Sequence, residues 1–190
     1  MPLHDYHDRL NCCFGRIAVL VIINFFIDLA LLRRAPQDLP ASLALLLLVL
    51  LAGLGAGLLL AITAGVDLGN GLLQSLLDLA LTLGALSLAL RLVERHQRFL
   101  QTATALVGVD TLITLLALLP VGMARPVDSE SGLLALAGVL FLLLVAWSVL
   151  AVGHILRHAF SLSLLQGAAI AIGFDLLSFM IIGGVIDGAR

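Results

Sequence analysis

The chain has 190 residues, of which 62% are hydrophobic and only 12% charged, and its mean hydropathy is +1.18. Soluble domains carry about 25% charged residues, so this composition excludes an ordinary water-soluble globule and leaves lipid as the solvent for the apolar runs. A formal net charge of −2 provides no basic surface for phosphate, which excludes nucleic acid as a partner.

The N-terminus does not read as a cleaved signal. His4, Asp5, His7 and Asp8 place mixed charge where a basic region is expected. Cys12 and Cys13 are the two cysteines. Neighbours in sequence are poorly placed to bridge each other, so a disulfide framework within the chain is excluded. All ten basic residues are arginine, a bias of GC-rich coding that points to a bacterial source.

The first apolar run, Ile17–Leu32, lies between Arg16 and Arg33. As a helix it reaches about 24 Å, short of the ~30 Å hydrocarbon core. Pro36 and Pro40 then break the chain, with Asp38 and Ser42 able to cap the next helix. Five longer runs come next, at residues 41–63, 72–93, 99–123, 133–156 and 160–186, each near the ~20 residues that a spanning helix needs. The expected breaks between them are Gly65–Gly71, Arg91–Arg98, Pro120–Ser131 and Arg157-His158.

Arginine counts choose between topologies. If the first run does not cross, Arg9, Arg16, Arg33, Arg34, Arg91, Arg95, Arg98 and Arg157 share one side, against Arg125 and Arg190, eight to two. If it crosses, Arg9 and Arg16 change sides and the split is six to four. The first arrangement is favoured. The sequence therefore reads as an all-α polytopic transmembrane bundle, with residues 1–35 forming an N-terminal interfacial or re-entrant helix and 36–190 a five-span unit. The expected location is the cell inner (cytoplasmic) membrane, with the N-terminus cytoplasmic.

Small residues recur every four positions at Gly53, Gly57, Ala61 and Gly65, and again at Gly184 and Gly188. This spacing lets another helix approach closely, from the same chain, a second copy or a membrane-protein partner. Asp78, Asp110 and Asp175 lie inside spans with no arginine at their depth. An ionised Asp at a helix centre costs about 2.5–3.5 kcal/mol even on lenient scales. Two readings are open: interhelical hydrogen bonds, with Gln74, Thr82, Thr114 and Ser178 one turn away, or a proton or cation path. Around Asp110 and Asp175, Gly108-Val109-Asp110-Thr111 and Gly173-Phe174-Asp175-Leu176 echo one another weakly.

His154 and His158, four apart, share a helix face as metal ligands do, but no acid accompanies them and no metal is expected. Neither a nucleophile elbow nor a phosphate loop is found, so neither an enzyme nor a cofactor is expected. Arg33 and Arg34 suit anionic lipid headgroups at about 1 kcal/mol per charge.

Leu31-Leu32-Arg33-Arg34-Ala35-Pro36-Gln37-Asp38-Leu39-Pro40-Ala41-Ser42 precedes the five spans, and Arg98-Phe99-Leu100-Gln101-Thr102-Ala103-Thr104-Ala105-Leu106 introduces the third. With that order of elements the chain resembles the small bacterial membrane proteins of the Yip family. The resemblance implies five spans and a cytoplasmic N-terminus, and it transfers no catalytic residues. The leading expectation is a non-enzymatic scaffold or accessory subunit acting through helix packing in the bilayer. The alternative is a small proton- or ion-coupled transporter using the three carboxylates.

Overall fold

A computed structural model describes residues 20–124 and 132–188, with side chains to 186. Cys12, Cys13, His4, His7, Arg9, Arg16, Arg125 and Arg190, and the surroundings of Gly188, lie outside the described residues. The described chain is helical: α1 (Leu20–Ala30), then α2 (Leu43–Thr63), α3 (Leu68–Leu92), α4 (Phe99–Ala124), α5 (Gly132–Phe160) and α6 (Leu164–Gly188). Five of these, α2 to α6, are long and apolar enough to cross a membrane.

Local chemistry sets the ends of these helices and shifts three of the expected breaks. Asp67 accepts a hydrogen bond from the Gly69 amide at 3.0 Å and starts α3 inside the expected Gly65–Gly71 turn. Pro120 lies within α4 rather than ending it. Arg157 and His158 belong to the last turn of α5, so the real break is Ser161–Ser163. There a reciprocal capping box starts α6: Ser163 Oγ accepts from the Gln166 amide at 3.2 Å, and Gln166 Oε1 from the Ser163 amide at 3.0 Å.

Leu32, Gly65, Glu94 and Ser161 have φ of 62°, 82°, 57° and 60°. Each closes a helix with a bond from the next amide back five residues: Arg33 to Asp28, Val66 to Ala61, Arg95 to Leu90, and Leu162 to Arg157, at 2.8–3.0 Å. These are Schellman-type ends, where glycine is the unstrained choice. Only Gly65 of the expected small-residue series serves in this way.

The helices form a closed ring in the order α2, α4, α5, α6, α3, with α4 also touching α3. α4 is the central helix. In its most apolar window 44% of residues are buried, against 6–22% for the other four spans. Its composition explains the position: Thr102, Ala103, Thr104, Ala105 and Gly108 are small enough for neighbours to close in, while leucine-rich faces such as Leu51, Leu119, Leu142 and Leu165 remain exposed, as lipid allows. Thr104 and Thr111 donate to the carbonyls of Leu100 and Val107 at 2.7 and 2.6 Å, so their hydroxyls are satisfied within α4.

α1 is not laid flat on the bundle end. Phe26, Leu29 and Ala30 are buried in the core, and Phe26 lies against Gly108, nine residues or about 13 Å along α4 from Phe99. Arg33, Arg34, Arg91, Arg95, Arg98 and Arg157 all lie at the end of the bundle where α2, α4 and α6 begin and α3 and α5 finish.

Candidate functional site

The expected small-residue series packs inside the chain. A Cβ on Gly53 would come within 3.0 Å of Thr111 Oγ1 on α4, one on Gly57 within 2.8 Å of Ser75 Oγ on α3, and Ala61 faces Gly71 of α3. Gly184 is different, with open space where its side chain would be. One close helix crossing is not signalled by the sequence. Gly153 of α5 and Gly167 of α6 bring their backbones together, and a Cβ on Gly153 would meet the Ala168 amide nitrogen at 2.8 Å. One glycine from each helix makes that notch, so no repeat within either one signals it.

At the arginine-rich end the two loop motifs are fastened to each other and to α5. Gln101 Nε2 donates to the carbonyls of Leu39 at 2.8 Å and Gln37 at 3.4 Å. Deeper in the bundle, Trp147 Nε1 donates to the Ala30 carbonyl at 2.8 Å. His154 Nε2 bonds the Arg34 carbonyl at 2.9 Å. Because a carbonyl only accepts, Nε2 carries the hydrogen, and the buried Nδ1 has no partner. Arg95 and Arg98 donate to the Ala159 and His158 carbonyls at the end of α5, at 3.1 and 3.3 Å. The unpaired carbonyls ending α1 and α5 thus find side-chain donors.

The His154 and His158 rings meet edge to face at 4.7 Å, with one nitrogen of His154 held on the backbone. Among the described residues no group of three potential metal ligands occurs. Arg34 pairs with Asp28 at 3.2 Å and lies 5.2 Å from the Phe25 ring centroid, whereas Arg33 is exposed.

The three intramembrane acids converge. Asp78 of α3, Asp110 of α4 and Asp175 of α6 line one cavity of about 190 Å³, walled by α5 on its remaining side. Apart from Thr82 its other lining is apolar, including Leu86, Leu106, Leu156, Phe160 and Phe174. A second cavity, about 360 Å³, lies between α3 and α6 and is lined by Gln74, Ser178, Ile182 and Ile186 together with Asp78 and Asp175. These two acids therefore belong to both. Along α3 the pair of cavities extends from Gln74 to Ala89, and along α6 from Ile170 to Ile186, about 22–24 Å of a ~30 Å hydrocarbon layer.

The arrangement bears on both readings of the acids. Ser178, one turn after Asp175, is buried, and its Oγ has no hydrogen-bond partner; it does not tie Asp175 down. Asp110 and Asp175 are exposed and Asp78 half-buried, in keeping with the open space they line. No arginine or histidine lines either cavity among the described residues. Three ionised carboxylates bordering one largely apolar cavity repel one another, and protons or a cation can compensate them. Asp110 and Asp175 share this cavity, but their echoing neighbours do not match: Gly108 is filled by Phe26, while Gly173 opens on empty space.

No family model, curated protein or solved structure matches the chain.

Proposed function

We propose that this multi-pass membrane protein is a small ion-coupled carrier in which Asp78, Asp110 and Asp175 form one cation- or proton-accepting site. The observation that carries the reading is their convergence, from three different helices, on a single cavity with no basic side chain among the described residues. The second cavity supports it by extending from the same two carboxylates along the α3–α6 seam, which gives an ion a polar stepping-stone part-way across. The arginine-rich end then faces the cytoplasm of a bacterial inner membrane, with a cytoplasmic N-terminus, by the positive-inside bias. The role is non-enzymatic, in a Yip-like architecture whose two loop motifs lie against each other through Gln101 and Leu39.

Flux measured in sealed proteoliposomes tests the reading. Imposed proton or sodium gradients should dissipate faster with the wild-type protein than with Asp78→Asn/Asp110→Asn/Asp175→Asn. Equal rates for the two, with both proteins inserted, would contradict it.

A scaffold or accessory-subunit role is the second reading, favoured by one observation. Gly173 and Gly184 of α6 have empty space over them, beside exposed Leu177 and Met180, on a face that another membrane helix could cover. Capture from native membranes with a crosslinker at Gly184 should then yield a specific adduct, and lipid adducts alone would count against it.

A further inference from the structure

We infer that the carboxylate cavity takes an organic monocation with an apolar body, in preference to a bare metal ion. This rests on the cation-site reading above and names its ligand class. Four observations carry it.

The first is the supply of oxygen ligands. Hard metal ions require six or more oxygens in close array, drawn largely from carboxylates, carbonyls and waters. Here α3, α4 and α6 run as unbroken helix through Asp78, Asp110 and Asp175, so their carbonyls are engaged in the helices and do not turn inward. Thr82 is the one other polar side chain on the first cavity.

The second is size. The cavity's 190 Å³ is more than ten times the 10–15 Å³ or so that a single water needs. A dehydrated metal ion would leave most of it empty.

The third is the wall. Leu86, Leu106, Leu156, Phe160 and Phe174 surround the acids. Such a surface gains from burying alkyl or aryl groups, and its two rings can attract a soft cation through their faces.

The fourth is independent of the acids. Ser178 Oγ is buried and unpartnered in the adjoining cavity, although Ser75 of α3 bonds the carbonyl four residues before it at 2.9 Å. A hydroxyl left free there is available to a guest.

Calorimetry with the purified full-length protein in detergent decides the matter. The probes are benzyltrimethylammonium, tetramethylammonium and sodium, each titrated as its chloride. Saturable binding of benzyltrimethylammonium is expected, about tenfold or more tighter than tetramethylammonium because only the former buries a ring. Asp110→Asn should weaken it at least tenfold. Phe174→Leu, which keeps all three carboxylates, should weaken benzyltrimethylammonium more than tetramethylammonium, a change in selectivity that a folding defect would not produce. Absence of saturable binding, equal affinity for the two ammonium ions, or binding that survives the triple Asp→Asn substitution would overturn the inference. If flux depends on the acids but no ammonium ion binds, the inference fails and the carrier reading stands. If neither is seen, both fail.

Discussion

The ring of Phe26 fills the space that a side chain at Gly108 would need, and so joins α1 to the central helix. The ring is rigid and both neighbours are buried, so a methyl at position 108 has to displace α1. Gly108→Ala should lower unfolding stability by about 1–3 kcal/mol, the usual cost of overpacking. Adding Phe26→Leu should restore part of the loss. Denaturant titration in mixed micelles measures both, and an unchanged midpoint for Gly108→Ala would show that α1 is not seated there.

Glycine substitutions should divide sharply by position. At Gly167 the obstacle is the backbone of Gly153, which cannot rotate away, so Gly167→Ala is expected to destabilise by at least about 1–3 kcal/mol. At Gly184 nothing lies within 4 Å, and Gly184→Ala should be neutral or stabilising by about 0.5–1 kcal/mol through helix propensity. The same titration compares them, and similar effects at the two sites would refute the packing described.

Glu94 is exposed and holds φ of 57° at the end of α3. The left-handed conformation costs a non-glycine residue about 1–2 kcal/mol. Glu94→Gly should therefore raise stability, by about 1 kcal/mol, with Glu94→Ala giving no such gain. A higher midpoint for alanine than for glycine would show that the Schellman closure is not formed.

The chain has a single tryptophan, Trp147, which donates to the Ala30 carbonyl. Its fluorescence thus reports on the docking of α1. Phe26→Ala should shift the Trp147 emission, whereas Asp28→Asn should not, because a partly exposed ion pair of this kind contributes only about 0–1 kcal/mol. Emission indifferent to Phe26→Ala would contradict the contact.

The spans were legible in the sequence because lipid imposes one rule on all of them, a long apolar run between polar breaks. Their ends were less so. Pro120 and the Arg157-His158 pair look like interruptions, yet a proline near a helix end and half-wet side chains in a last turn are both tolerated. The capping box of Ser163 and Gln166 and the N-cap of Asp67 were present as signals, and they place α6 and α3 better than hydropathy does. The acids could be found individually as carboxylates within apolar runs, but their convergence depends on how α3, α4 and α6 rotate about their axes. Leucine-rich helices give that rotation no periodic signature. The small-residue series at Gly53, Gly57 and Ala61 likewise announces a close neighbour without saying which helix it is.

The central claim is that the carboxylates of Asp78, Asp110 and Asp175 act as one site. Flux in proteoliposomes with each Asp→Asn variant alone, and with the pairs combined, tests it most directly. For a shared site we expect each single substitution to remove most of the flux and the second to add little. Independent, multiplicative losses, or single variants indistinguishable from wild type, would show that the three acids only happen to border the same space.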